Sequence, residues 1–295
     1  MKNQDTMRLW QYRLSRVGLY FLVALILIWT LAPFTWLFIT SISTQAKLNA
    51  IPIQWLPNPP TFEHYVAMFD VNNETSLLFI AAMRNSILVA TTTTFICLLF
   101  GVPAAYSLSR FVFPARNIIV MAMLATRLLP TIALVVPFYI IIVGYIDPVF
   151  KMFDTPHNLI ILYSSFIIGL VVWIMRGFFT AIPRDLEEQA MVDGATRLQA
   201  LWYIILPLSF PGLVTTGLLA FLLSWDEFLL ALVFSRTPAA FTMPYFVFVV
   251  GSSQYYQSPA AVAAGGFLAA LPPVILALIF QERLIGGLTD GAVKG

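Results

Sequence analysis

The sequence predicts an all-α polytopic membrane protein that crosses the bilayer six times. Of its 295 residues, 60% are hydrophobic and only 10% are charged, and the mean hydropathy is +0.86. Soluble domains are about half apolar and about a quarter charged, so this composition excludes an ordinary soluble fold. Six long apolar runs supply the helices, because about 20 such residues span the hydrocarbon core.

The N-terminal part predicts a cytoplasmic segment, one span and an external segment. Residues 1–16 carry four basic side chains against Asp5 alone, which predicts a cytoplasmic location. Residues 17–42 carry no charge over 26 positions, too long for the apolar core of a cleaved signal peptide, and are predicted to be the first span. Residues 43–84 are polar and proline-rich and are predicted to lie outside.

Residues 85–282 are predicted to form a core of five further spans, followed by a cytoplasmic tail at 283–295. A long polar loop, residues 181–207, separates the third and fourth of these spans. The five predicted spans are Asn85–Ser109, Ile118–Tyr145, Asn158–Ile174, Leu208–Ser235 and Pro259–Phe280. Pro130 and Pro137 are predicted to break the second of these five. With six spans and both termini inside, eleven Lys and Arg residues fall on the cytoplasmic side and three outside, which agrees with the positive-inside rule.

The polar loop is predicted to form two short helices joined by a bend. Pro183 suits the first turn of a helix, and three carboxylates follow in that turn, where the helix dipole favours negative charge. Gly194 suits a helix C-terminus that needs a positive φ, and Asp193 can cap the helix that follows. In the second helix, one apolar stripe is predicted to pack on the protein: Leu198, Leu201, Trp202 and Ile205.

The loop resembles the cytoplasmic EAA coupling loop of ABC importer permeases. Its matching positions are Glu188, Ala190, Gly194, Ile204, Leu206 and Pro207, and Gln189 departs from the pattern. Residues 104–116 and 286–295 are similar to segments of carbohydrate-importer permeases, the latter to the tail of the smaller permease of maltose-type importers. The resemblance implies a type I ABC importer permease fold and a subunit of a sugar importer in the inner membrane of a prokaryote.

The same resemblance implies partners and contact residues. The expected partners are a second related permease, two ATPase subunits, an external sugar-binding protein, a sugar and the lipid bilayer, with no nucleic acid. The residues expected to couple to the ATPase are Glu187, Glu188, Ala190, Asp193, Gly194 and Ala195. The tail residues expected to reach the ATPase pair are Gly287, Leu288, Thr289, Val293 and Lys294.

Four polar or aromatic residues inside predicted spans are candidates for the translocation path. Arg127 lies about ten residues into the third span, which places it ~15 Å deep, where a charge faces either a pore or a structural ion pair. Asp226 and Glu227 lie in the fifth span, and adjacent helix positions point about 100° apart, so at most one is expected to face a cavity. Trp225 could stack on a sugar or act as an interface anchor.

The sequence offers no catalytic or metal-binding constellation. His64 and His157 are the only histidines and Cys97 is the single cysteine. No P-loop pattern occurs, so the chain is predicted not to be an enzyme and to hold no cofactor of its own, with ATP and Mg bound by a partner ATPase. The alternatives are a secondary transporter or channel that needs no ATPase, which predicts midplane carboxylates, and a membrane-embedded hydrolase.

Overall fold

The computed structural model describes residues 2–52, 54–70, 72–252 and 258–292; side chains are described from residue 16 to residue 282, except that of residue 127. Within these ranges the chain forms helices and no strands. The α-helices in chain order are α1 Lys2–Ser41, α2 Gln45–Leu48, α3 Glu63–Ala67, α4 Glu74–Arg110, α5 Arg116–Ala125, α6 Thr131–Ile141, α7 Asp147–Phe150, α8 Pro156–Ala181, α9 Asp185–Val192, α10 Arg197–Ala200, α11 Leu206–Leu208, α12 Phe210–Trp225, α13 Leu229–Phe234, α14 Met243–Ser252 and α15 Pro259–Ala292.

Five of the described helical segments are long and apolar enough to cross a membrane. They are Arg16–Ser41 of α1, α4, Thr131–Phe150, α8 and Pro259–Glu282 of α15. A sixth span results if Arg197–Leu208 and α12, which are bent by 79° at Ser209, are counted together. This count confirms the all-α, multi-span prediction and approximately supports six spans.

The third predicted span, Ile118–Tyr145, is broken at Pro130, as predicted, whereas Pro137 lies inside α6 and does not break it. Helix α5 ends at Ala125, a 3₁₀ turn covers Thr126–Leu128, and α6 begins after Pro130. Leu129 is extended, with ψ 121°, because a residue that precedes proline is disfavoured in the α region. Arg127 therefore lies in a turn just before this break, and its predicted depth assumed a regular helical rise that the turn interrupts.

The fifth predicted span, Leu208–Ser235, is also interrupted. Helix α12 ends at Trp225, and α13 begins at Leu229. The Glu227 carboxylate accepts hydrogen bonds from the backbone N–H of Leu230 at 3.0 and 3.1 Å and of Ala231 at 3.3 Å. These bonds satisfy N–H groups that the first turn of α13 leaves without helical partners.

Other helices begin or end at residues that differ from the prediction, or were not predicted. Helix α4 begins at Glu74, eleven residues before the predicted second span, because the Asn73 side chain caps it by accepting from Thr75 N at 3.0 Å. Helix α8 continues to Ala181, and the backbone of α15 continues to Ala292, through most of the predicted tail. Helix α14 lies in a stretch for which no helix was predicted.

The chain divides into two compact units. The first comprises Met1–Ala67 and Val250–Leu268. Within it, the Ser41 hydroxyl lies 2.6 Å from the Tyr65 hydroxyl, and the Phe38 and Phe267 rings are 5.2 Å apart. The apolar side chains of α1 are largely exposed, as expected for a helix that faces lipid or another subunit.

The second unit comprises Met68–Val249 and Ala269–Gly295, and its core is built by α4, α8 and α12. Helices α4 and α8 pack closely where Gly101 faces Val171: a Cβ at Gly101 would lie 2.8 Å from Val171 Cγ1. The largest buried side chains of this core include Tyr163, Phe179 and Phe234. This unit carries the polar loop and the broken spans.

Candidate functional site

The polar loop begins with the short helix α9, and its first turn is acidic. Asp185, Glu187 and Glu188 lie in that turn, where the dipole of the helix stabilises negative charge. Arg184 is the N-cap residue, so Pro183 lies just outside the helix. The prediction that Pro183 occupies the first turn is wrong by two positions.

A glycine turn ends α9, as the sequence predicts. Gly194 has φ +92°, a conformation that side-chain-bearing residues rarely adopt. Its N–H donates to Met191 O at 3.1 Å, and the N–H of Ala195 donates to Ala190 O at 2.9 Å. These two bonds are those of a Schellman motif, which satisfies carbonyls at the C-terminus of the helix.

The helix that follows is capped by Thr196, not by Asp193. Gln199 N donates to the Thr196 hydroxyl at 3.3 Å, and Thr196 N donates to the Gln199 side chain at 2.7 Å, which forms a capping box. Asp193 instead ends α9 as its C-cap residue. The Schellman turn adds residues between the two helices, so that Asp193 is too early in the chain to cap the second.

One face of α9 is an exposed acidic surface. A shallow depression on this face is lined by Asp185, Glu188, Gln189, Val192 and Asp193, all of them exposed. Three of these five residues are acidic. We call this set the acidic face of α9.

The opposite face of α9 is buried, which corrects the predicted surface positions of Glu187 and Ala190. Glu187 is 4% exposed and Ala190 is 9% exposed. Arg110 Nε lies 2.9 Å from Glu187 Oε2, and the Tyr106 hydroxyl donates to Glu187 Oε1. Since Glu187 and Glu188 are adjacent on a helix, one of them turns inward when the other turns outward.

Only half of the predicted apolar stripe is buried. Leu201 and Ile205 are 4% and 0% exposed, but Leu198 and Trp202 are 65% and 62% exposed. Residues 201–205 are π-helical, a wider turn than the α-helix assumed in the prediction, so the faces of this segment do not follow α-helical spacing. The exposed residues leave an apolar surface beside α9.

A separate cavity of about 210 Å³ lies where the broken spans meet α8. Residues from the turn between α5 and α6, from α8, from α12 and from α13 line it: Thr126, Leu129, Thr131, Tyr163, Phe166, Ile167, Leu223, Glu227 and Leu230. The Tyr163 hydroxyl is buried and lies near the Glu227 carboxylate, although the geometry falls short of a hydrogen bond. This cavity therefore combines apolar walls with a few polar groups.

The predicted path residues have different positions. Glu227 lines the cavity, and Asp226 is exposed at the end of α12, in line with the expectation that at most one of them faces a cavity. Trp225 is 3% exposed, its indole N–H donates to Ala269 O at 3.1 Å, and it stacks on Phe221. Neither a sugar-stacking role nor an interface-anchor role fits this buried ring.

Several predicted contact residues are described only in part. The side chain of Arg127 lies outside the described residues. Gly287, Leu288 and Thr289 belong to the helical backbone of α15, whereas Val293 and Lys294 lie outside the described residues. Among the described residues, no three His, Cys, Asp or Glu side chains gather closely enough to hold a metal ion.

The chain belongs to the family of binding-protein-dependent transport system inner membrane components. The model of this family matches residues 97–288, which include the C-terminal part of α4, all of α8 and α12, the acidic face of α9 and the cavity. The fold agrees: a chain from a crystal structure of a bacterial ABC transporter that imports the acidic polysaccharide alginate superposes with a TM-score of 0.75 at 22% identity, over 92% of this chain and 96% of that one.

Two curated relatives match nearly the whole chain. The trehalose transport system permease protein SugB of Mycobacterium tuberculosis is 37% identical over 268 residues, which cover 90% of this chain and 93% of the relative. The trehalose/maltose transport system permease protein MalG of Thermococcus litoralis is 33% identical over 288 residues, which cover 96% and 98%. The predicted family is thus confirmed.

Proposed function

We propose that this chain is one of two related permease subunits of an ATP-driven sugar importer. The assembly would also contain two copies of an ATPase and an external sugar-binding protein. The chain would carry no ATPase site of its own, and both of its termini would lie in the cytoplasm. Family membership supports the role of an inner membrane component, and the named substrates of the relatives, which include trehalose and maltose, favour a carbohydrate.

The acidic face of α9 is the observation that carries this proposal. It exposes Asp185, Glu188 and Asp193 on a short helix held by a glycine turn at one end and a capping box at the other. Such a surface suits basic residues of a partner, because complementary charges set the orientation of docking. We propose that Glu188, Asp193, Gly194 and Ala195 meet the ATPase directly.

The cavity beside Glu227 supports a role for this chain in the path of the solute. It lies at two helix breaks, and non-helical backbone within a membrane is tolerated where it is buried or lines a cavity. Thr126, Thr131, Tyr163 and Glu227 supply hydroxyl and carboxylate groups that can hydrogen-bond to a hydroxylated solute. Arg127, whose backbone follows that of Thr126 in the same turn, stays a proposed residue of the path.

The mechanism would be alternating access driven by the partner. Binding of ATP closes the ATPase pair and moves α9 with it, the helices around the cavity open it towards the outside, and hydrolysis returns it to the inside. The C-terminal segment 283–295, with Gly287, Leu288, Thr289, Val293 and Lys294, would contact the ATPase pair. In this scheme the residues of this chain bind and move, and they perform no covalent chemistry.

The rival function is a secondary transporter or channel without an ATPase. Copurification separates the two: the complex is extracted in mild detergent, and the ATPase retained per permease is measured. Glu188→Lys should reduce retention, because it reverses a charge on the acidic face. Glu63→Lys is the matched control, since Glu63 is also an exposed carboxylate but belongs to the segment predicted to lie outside. A wild-type permease that retains no ATPase would contradict the proposal.

A further inference from the structure

The cytoplasmic end of the second unit holds a buried charged cluster beneath α9. Glu187, Arg110 and Tyr106 are 4%, 8% and 5% exposed. Arg110 Nε and Glu187 Oε2 form an ion pair at 2.9 Å, and the Tyr106 hydroxyl donates to the other carboxylate oxygen. Glu187 is on α9, while Tyr106 and Arg110 lie near the C-terminal end of the long span α4, so the cluster joins the two helices through side chains.

Backbone carbonyls extend this connection. Arg110 Nη2 donates to Ile182 O at 3.2 Å, in the segment between α8 and α9. Arg184 Nη2 donates to Ser109 O, and Arg176 Nε donates to Leu108 O, both at 3.4 Å. The last carbonyls of a helix lack helical partners. Arg176 of α8 and Arg184 at the start of α9 therefore donate hydrogen bonds to carbonyls that α4 leaves without partners.

Aromatic packing surrounds the pair and excludes water from it. The Tyr106 ring lies edge-on to Phe179 and Phe111, with centroids 6.3 and 6.2 Å apart. The Arg197 guanidinium lies 5.1 Å from the Phe111 ring centroid, which brings α10 to the same cluster. An ion pair in such a dry site is held to one geometry, because a separated partner would be left as an uncompensated buried charge.

We propose that Glu187 is a positioning residue that makes α9 and α4 move as one body, acting through Arg110. On this view α9 has two functional faces. Glu188 and Asp193 contact the ATPase, and Glu187 transmits the displacement of α9 to α4, which packs along α8. This inference rests on the proposed function. It assigns to Glu187 a role other than direct contact with the ATPase.

The test separates transmission from docking. In the reconstituted complex, we measure the retention of the ATPase and the stimulation of ATP hydrolysis by the sugar-loaded binding protein. Glu187→Gln should leave retention close to wild type but reduce stimulation by about fivefold or more, the low end of typical coupling between sites. Tyr106→Phe should reduce stimulation less, since it removes one hydrogen bond. Glu188→Gln, the exposed neighbour, should reduce retention instead.

A double variant distinguishes a coupling role from a merely stabilising one. Glu187→Gln with Arg110→Met removes both buried charges, a change that proteins often tolerate in stability. The proposal predicts that this variant is produced and thermally stable like the wild type, yet still lacks stimulation. If the double variant regains stimulation, the pair is only stabilising and the proposal is overturned.

A distance measurement reports on the motion itself. Spin labels are attached to cysteines introduced at Leu186 of α9 and Phe100 of α4, both exposed and outside the acidic face, in a Cys97→Ser background. With Glu187 intact, ATP should leave the distance distribution between the labels narrow and unchanged; with Glu187→Gln it should broaden. Equal distributions in the two proteins would overturn the inference. A wild-type complex that binds no ATPase would instead refute the proposed function.

Discussion

Gly194 offers the most informative single substitution, because a side chain added there changes the backbone energy of the turn without a steric clash. Its φ of +92° closes the turn after α9, and a Cβ built at this position meets nothing within 4 Å. The substitution Gly194→Ala therefore adds no clash within the chain. Its cost comes from the left-handed conformation, about 1–2 kcal/mol for a residue with a Cβ.

That magnitude predicts a measurable effect on coupling. A change of about 1–2 kcal/mol alters an equilibrium by roughly 5–30-fold. If the Schellman turn sets the orientation of the acidic face of α9, the fraction of permease able to hold the ATPase should fall accordingly. Gly194→Asn should be milder, since asparagine tolerates this region, and Gly194→Val should be the most severe.

The assay compares these variants with a matched control. Gly177→Ala adds the same methyl group in the interior of α8, where a Cβ also meets nothing within 4 Å, and it should be neutral or slightly stabilising. Retention of the ATPase in mild detergent and binding-protein-stimulated hydrolysis are measured for each permease. Full activity in Gly194→Val, or an equal loss in Gly177→Ala, would refute the reasoning.

Three further predictions concern other parts of the chain. Deletion of residues 286–295 should lower transport and ATPase stimulation while membrane insertion is preserved; unchanged uptake would contradict a contact between the tail and the ATPase. Arg127→Leu should impair transport more than insertion, and an experimental structure with this guanidinium turned towards lipid would refute a role inside the bundle. Gly212→Val should lower the thermal stability in detergent by about 1–3 kcal/mol, because a Cβ there would lie 2.5 Å from the Phe178 ring; a melting temperature equal to wild type would contradict this close approach.

Local backbone chemistry was the most predictable part of the structure. The bend at Gly194 follows from one residue type that is suited to positive φ, and the apolar spans follow from runs of uncharged residues long enough to cross the bilayer. Both signals are contained within a few neighbouring positions. They require no knowledge of what packs against them.

The orientation of α9 was not predictable in the same way. Glu187 and Glu188 are identical residues side by side, and the sequence pattern does not state which one faces the protein. The choice is made by Arg110 and Tyr106, more than 70 positions earlier in the chain. The available signal was Arg110, which directly follows the predicted second span. A basic residue at that place can form an ion pair with a carboxylate of a later loop.

The break in the fifth span was missed for a related reason, whereas the break at Pro130 in the third span was predicted from the proline. Hydropathy averages over a window, so Asp226 and Glu227 do not interrupt the apolar signal of the fifth span, although the helix is interrupted there. The same averaging hides the π-helical turn at residues 201–205, which exposes Trp202 and buries Ile205. In each case tertiary packing and backbone bonds override a helical pattern of regular spacing.

The central claim is that this permease moves its solute only under the control of a separate ATPase. The most direct test is uptake of labelled trehalose and maltose, the sugars named for two relatives, into liposomes that hold either the full complex or this chain with its partner permease alone. The account predicts uptake only with the full complex, internal ATP and the external binding protein. Ion-gradient-driven uptake by the permeases alone, without ATP, would contradict it.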